Sequence, residues 1–227
     1  MRPWELVDHD GVPDDDGTLF LMSRGSEWVI HVDGKELMGT GLHGSEVALA
    51  DEACDRLPRT DPARILVGGL GMGFTLAAAL RRVGPGSQVT VAELLPAVVR
   101  WNREHTGRAA GHPLRDPRAI VYGGDVGDLV HTPPAPWSAI LLDVDNGPGS
   151  LTRPTNGWLY TRAGLRAARR ALIKGGVLGI WSAHPFPPLP GRLRSVGFSV
   201  AEVKHTEPER PTADGSGTHV LWMATAP

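Results

Sequence analysis

The chain has 227 residues, a formal charge of −2 at pH 7, 41% apolar residues and a single cysteine, Cys54. These values suit one large domain, or a domain with a small appendage. They exclude an internal disulfide or a cysteine metal cluster, leave no basic field for nucleic acid, and include no apolar run long enough to span a bilayer. The start, Met1-Arg2-Pro3-Trp4-Glu5, lacks the apolar stretch of a secretory signal, so a cytoplasmic protein with no nucleic-acid or membrane partner is expected.

Residues 1–17 are polar and acidic and read as a solvated loop around Asp14-Asp15-Asp16-Gly17. Thr18–Ser23 and Glu27–Val32 have strand composition, and Asp33-Gly34 is a hairpin turn signal. A small antiparallel β unit ending near Met38 is predicted, within an N-terminal segment 1–42. His43–Leu57 reads as a helix with Val47, Leu49, Ala50, Cys54 and Leu57 on its apolar side. Pro58 to Ala63 is a turn-rich link into the second segment, 43–227, which carries the candidate site.

Strands and helices then alternate. The apolar run Ile65–Val67 enters a glycine cluster, Gly68-Gly69-Leu70-Gly71-Met72-Gly73, and a helix-like segment, Thr75–Val83, leaves it. Gln88–Ala92 is the second strand and Pro96–Glu104 the second helix, with proline suited to the helix start. After a long loop, His105–Pro117, come strand Ala119–Tyr122, a short helix Val126–Val130, strand Trp137–Leu142, helix Trp158–Ile173 and strand Val177–Trp181. Phe198–Lys204 and His219–Ala224 complete seven strands, joined by a polar, Pro/Gly-rich tip over Glu207–Gly217. This order implies an α/β fold: a seven-stranded, mostly parallel, doubly wound sheet with a small N-terminal antiparallel β unit.

Ligands of such sheets bind beyond the carboxyl ends of the strands, at the topological switch point. The glycine loop ends the first strand, where glycines permit close backbone approach and the following helix turns its N-terminal amides to the ligand. Glu93 ends the second strand, roughly 20 residues past the loop, where a carboxylate grips a ribose diol. Beyond the third strand stand Gly124 and Asp125; the acid accepts from an adenine amino group or simply caps the short helix. The fourth strand delivers Asp143-Val144-Asp145-Asn146. Asp143 is the leading candidate for chemistry, as proton acceptor or ammonium holder, while turn-forming chemistry accounts equally for Asp145 and Asn146.

The dinucleotide pattern Gly-x-Gly-x-x-Gly fails, because the third glycine falls at Phe74 or Leu76. Gly69-Leu70-Gly71-Met72-Gly73 has instead the tighter spacing expected for an adenosyl sulfonium compound, S-adenosylmethionine or its decarboxylated form. Together these residues resemble the spermidine synthase-like group, which has the class I S-adenosylmethionine-dependent methyltransferase (Rossmann-like) fold. The resemblance covers about residues 27–204. Asp33–Met38 and His43-Gly44-Ser45-Glu46 are similar to the family's β unit and the entry to its first helix. Gly68–Gly73 stands where the family has Gly-Gly-Gly-Asp-Gly-Gly, Glu93 matches its ribose acid, Gly124-Asp125 its adenine pair and Asp143 the first acid of its catalytic loop. The resemblance implies donor contacts from Gly68, Gly69, Gly71, Gly73, Glu93, Gly124, Asp125 and Asp143, with Asp143, Asp145 and Asn146 in the catalytic loop.

Departures affect the expected reaction. Gly71 replaces the loop acid that helps hold the donor's aminopropyl end, Asn146 replaces the second catalytic-loop acid beside Asp145, and Gly44-Ser45 replaces a Tyr-Gln pair used for the amine. Each lost charged contact costs on the order of 1.5–3 kcal/mol. The expectation is therefore transfer of an alkyl group from a sulfonium donor to a small-molecule nucleophile, with methyl transfer slightly ahead. The alternatives are aminopropyl transfer to a polyamine, or an inactive adenosyl-binding module. His43, Ser45, Glu46, Tyr160 and His184 are candidate acceptor contacts, with Trp158 a candidate pocket wall; no metal is expected. The N-terminal unit is a candidate homodimer surface, as such units are in the resembled family.

Overall fold

The structure, a computed structural model, describes residues 2–13, 16–58, 62–144, 147–148, 154–206 and 218–227. Four antiparallel strands come first: β1 (Glu5–Gly11), β2 (Thr18–Arg24), β3 (Glu27–Val32) and β4 (Lys35–Gly39), in the order β1-β2-β3-β4. Asp33 and Gly34 both take positive φ, 49° and 79°, in the turn between β3 and β4. That matches the mirror-image turn favoured by the right-handed twist of hairpins.

The remainder alternates in the predicted order with one helix, α6, added: α1 (Gly44–Asp55), β5 (Arg64–Gly68), α2 (Phe74–Arg82), β6 (Gln88–Glu93), α3 (Pro96–Glu104), β7 (Ala119–Gly123), α4 (Val126–His131), β8 (Trp137–Leu142), α5 (Arg162–Ala171), β9 (Leu172–Ser182), α6 (Pro188–Ser195), β10 (Ser199–Thr206) and β11 (Thr218–Thr225). Seven strands form one sheet in the order β10-β11-β9-β8-β5-β6-β7. β5 pairs in parallel with both β6 and β8, so the switch point lies at its carboxyl end. Only β11 runs against the rest, between β9 and β10.

Side-chain alternation sorts the core into two layers. Ile65 and Val67 of β5, with Ala139 and Leu141 of β8 and Val177 of β9, pack on one face with α1, α2 and α3. Leu66, Ile140, Leu142, Leu178 and Ile180 pack on the other with α4, α5 and α6. Such period-two burial is what a sheet covered on both sides requires; each fully buried aliphatic side chain contributes about 1.5–3 kcal/mol. Leu19, Leu21, Trp28 and Ile30 of the N-terminal sheet join the first layer. No helix among the described residues is long and apolar enough to cross a membrane.

Three differences from the sequence reading have physical causes. The segment read as a solvated N-terminal loop contains β1, because its acids are paired. Asp8 Oδ2 accepts from Trp101 Nε1 at 2.7 Å and from Arg100 Nη2 at 2.9 Å, and Asp10 Oδ2 accepts from Arg100 Nη1 at 2.8 Å. The fifth helix starts later and ends earlier than the expected Trp158–Ile173, at Arg162 and Ala171, since Pro154–Tyr160 is a 3₁₀ segment and Leu172 and Ile173 already belong to β9. Helix α6 lies in a proline-rich stretch that gave no helix signal. Its Pro188 sits in the first turn, where no N–H is needed, and Leu189 and Leu193 bury one face. Asp14, Asp15 and the tip Glu207–Gly217 lie outside the described residues.

The bonds from Trp101 and Arg100 hold the Asp8 carboxyl down at about 2. A depressed carboxylate stabilises the fold above its unfolded pKa, roughly 4, and that stabilisation fades as pH falls toward 2. Asp8 is partly solvated, so its contribution is small. Asp8→Asn is expected to cost about 1 kcal/mol or less at pH 7, with the urea unfolding curves of variant and parent converging below pH 2.

Candidate active site

The loop after β5 is tied to strands on both sides. Gly69 N donates to Ala92 O of β6 and Asp143 N donates to Gly68 O, each at 2.9 Å. Gly69 has φ +87°, and a Cβ there would lie 2.3 Å from Asp143 O. Only glycine fits between these strand exits. Gly71 has φ +52° and faces more open space, with Met38 Sδ 3.7 Å from where its Cβ would stand. Its carbonyl accepts from Asn102 Nδ2 of α3 at 2.8 Å, which fixes the loop from behind. Gly73 is the N-cap of α2.

Above this loop is a cavity of about 370 Å³. The β6–β7 side is lined by Gly69, Leu70, Gly71, Glu93, Leu94, Leu95, Gly124, Asp125 and Val126. Toward β9 and β11 the lining is Leu42, Glu46, Trp181, Ala183 and His219, with Leu37, Met38 and Gly39 contributed by β4. Met72, Phe74, Asp143, Val144 and Asn156 also face it. The lining thus carries four carboxylates, Glu46, Glu93, Asp125 and Asp143, and no lysine or arginine among the described residues.

Glu93 is 8% exposed. Its Oε1 accepts from Leu95 N and its Oε2 from Leu70 N, each at 2.9 Å. Burial pushes its carboxyl up, while these amides, with those of Leu94 and Gly71, pull it back. Hydroxyls donating from a ribose would add to the second effect. Asp125 is indeed the N-cap of α4, its Oδ1 accepting from Gly127 N at 2.7 Å, and it also reaches the cavity. A single carboxylate can do both, because it offers about four acceptor positions.

Asp143 leaves β8 beside the glycine loop. Burial pushes its carboxyl up to about 6, against a lowering hydrogen bond from Thr75. Thr75 Oγ1 lies 2.5 Å from Asp143 Oδ2 and 3.4 Å from the Glu46 carbonyl. A hydroxyl has one proton, and the shorter contact takes it. A carboxylate poised near 6 is ionised at neutral pH yet basic enough to accept a proton.

The candidate residues from the sequence divide in space. Gly69, Gly71, Glu93, Gly124, Asp125, Asp143 and Glu46 line one cavity, and Ser45 stands directly behind Glu46, donating to its Oε2 at 2.8 Å. Gly68 and Gly73 frame the loop without lining the cavity. His43 stacks on Phe74 at 3.9 Å between ring centroids, one layer back, with Nδ1 buried and unpaired among the described residues. Tyr160 does not reach the cavity: it is packed in the second core layer, with Trp158 against that layer's edge. His184 is exposed and away from the lining, its carbonyl accepting from Ser182 Oγ. Asp145 and Asn146 lie outside the described residues.

Trp181, Ala183, His219, Thr75 and Asn102 were missed. Alternation beyond β9 turns Trp181 and Ala183 toward the cavity and His184 away, a signal that period-two counting carries. The rule that ligands sit at carboxyl ends of strands does not point to His219, which stands at the start of its strand. β11 is antiparallel, so it presents its beginning at the same edge of the sheet.

No protein-family model matches the chain. A polyamine aminopropyltransferase of Korarchaeum cryptofilum (strain OPF8) is 27% identical over 118 residues, 52% of this chain; the match spans only 35% of that protein's length. Spermidine synthase from Thermotoga maritima superposes with a TM-score of 0.76 at 16% identity, covering 98% of this chain and 72% of that one. The fold is that of the spermidine synthases. A spermidine synthase in complex with the transition-state analogue AdoDATO gives 0.74 at 17% identity, with the same coverage. A probable spermidine synthase from Corynebacterium glutamicum ATCC 13032 gives 0.63 at 18%, covering 99% and 81%. In sequence over half its length and in structure over nearly all of it, the chain resembles this group.

Removing the Thr75 hydroxyl removes the one bond that lowers Asp143. Thr75→Val is expected to move the Asp143 titration upward from about 6, read by carbon NMR of the side-chain carboxyl. A downward or absent shift contradicts this geometry.

Proposed function

We propose that the chain transfers an aminopropyl group from decarboxylated S-adenosylmethionine to an amine. The observation that carries this reading is the charge of the cavity: four carboxylates and no lysine or arginine among its described lining. A donor bearing a sulfonium and an ammonium but no carboxylate suits such a chamber, as does an acceptor with several amines. S-adenosylmethionine brings a carboxylate that finds no cationic side chain there. The balance thus moves from methyl transfer, which led on the sequence, to aminopropyl transfer. The polyamine aminopropyltransferase relative and the spermidine synthase neighbours weigh on the same side.

The bound donor supplies an electrophilic methylene carbon next to its sulfonium. The acceptor nitrogen forms a bond to that carbon, the carbon–sulfur bond breaks, its electron pair goes to sulfur, and methylthioadenosine departs. Glu93 and Asp125 hold the nucleoside at one side of the cavity, which fixes the line of attack; such orientation supplies much of the rate. Asp143 takes the proton that the nitrogen must lose. Glu46, across the cavity, holds an ammonium of the acceptor.

Incubation with decarboxylated donor and 1,4-diaminobutane is expected to yield methylthioadenosine. S-adenosylhomocysteine from S-adenosylmethionine, with no aminopropyl product, overturns the reading; absence of either product with intact donor binding returns the inactive module. Because Asp143 must be ionised, kcat/KM is expected to fall on the acid side of about pH 6. Asp143→Asn should lower kcat by roughly 100-fold or more and abolish that acid limb.

Glu93→Ala is expected to weaken donor binding by about 1.5–3 kcal/mol, tenfold or more. Calorimetry with methylthioadenosine checks this, and unchanged affinity removes the ribose contact.

A further inference from the structure

Ser45, in the first turn of α1, is fully buried and gathers the side chain of its neighbour Glu46 and side chains from two distant parts of the chain. Its Oγ donates to Glu46 Oε2 at 2.8 Å. Trp181 Nε1 of β9 donates to Ser45 Oγ at 3.0 Å, and His219 Nδ1 of β11 lies 2.7 Å from that hydroxyl oxygen. Trp181 and His219 also touch each other, their ring centroids 4.9 Å apart, and both line the cavity with Glu46.

Proton counting assigns the roles. A serine hydroxyl has one proton, and an indole N–H only donates. With the Ser45 proton on the Glu46 carboxylate, His219 must donate from Nδ1. The ring therefore carries its proton on Nδ1, and that N–H together with the indole N–H orients the hydroxyl. The hydroxyl in turn holds one carboxylate oxygen of a side chain that, at the first turn of a helix, otherwise has several rotamers.

We infer that Ser45 and His219 are positioning residues that hold the Glu46 carboxylate toward an ammonium of the acceptor amine. This rests on the amine-acceptor reading above. Neither residue touches the reacting atoms, and both act through Glu46. Recognition of the acceptor is thus set partly by the C-terminal strand, 174 residues from the serine it addresses.

Nitrogen NMR of the His219 ring, without substrate, is expected to show a proton on Nδ1. A ring protonated only on Nε2 overturns the inference, whatever the enzyme does. Ser45→Ala and His219→Phe are expected to raise KM for 1,4-diaminobutane about tenfold, the effect of losing a hydrogen bond to a charged group, with kcat and methylthioadenosine affinity little changed. His219→Asn places an amide N–H near Nδ1 and should restore KM to within about threefold, one weak bond's worth. Ser45→Ala added to Glu46→Gln should cost nothing further, since the hydroxyl acts through that carboxylate. Failure of His219→Asn to outperform His219→Phe, or full additivity with Glu46→Gln, overturns the positioning role. If His219→Phe fails to fold, Ser45→Ala, which removes one oxygen, carries the comparison. A parent enzyme that makes no methylthioadenosine and binds no diamine refutes the amine reading itself; turnover by the parent with an unaltered Ser45→Ala refutes only the inference.

Discussion

Everything at the site depends on two backbone hydrogen bonds at the exit of β5. One joins Gly69 to Ala92 and the other joins Asp143 to Gly68, so the ends of β6 and β8 are held against a single loop. Because Gly69 leaves no space for a Cβ against the Asp143 carbonyl, the loop and the candidate base approach as closely as the backbone allows. The two polar groups that the proposed chemistry needs, Glu93 and Asp143, are thereby fixed by the sheet rather than by flexible loops. Rigid placement of this kind is what orientation of a reacting pair requires.

Most of the sheet was legible because its signals are local and periodic. Buried strands such as Ile65–Val67 and Trp137–Leu142 are short apolar runs bounded by turn residues, and the glycine loop and Glu93 follow from their place after those runs. What was illegible depends on partners far along the chain. The acids of β1 looked solvated because nothing near them in sequence reveals Arg100 and Trp101. Helix α6 was hidden by prolines that are harmless in a first turn. Trp181 and His219 reach the cavity only through strand register and the reversed direction of β11. Tyr160 illustrates the opposite case: a candidate pocket residue on its place in the sequence, it packs in the second core layer.

The cavity has two chemical characters. Its β6–β7 side offers backbone amides, Glu93 and Asp125, suited to a nucleoside. Its β9–β11 side combines aromatic and apolar walls with Glu46, suited to an alkyl amine. Gly71, where the resembled family carries an acid, lies at the join, with the Met38 thioether nearby. With glycine at that position, the carboxylates of the described lining are Glu46, Glu93, Asp125 and Asp143.

The antiparallel β11 has a consequence for folding. A domain folds as a unit, and its partly folded forms expose unpaired strand edges. Glu93, Asp125 and Asp143 all precede residue 144, whereas β11 and its His219 follow residue 217. Until β11 slots between β9 and β10, Trp181 and Ser45 are without their third partner, and β9 keeps an open edge. Docking of β11 covers that edge and in the same step brings His219 to Ser45 and Trp181.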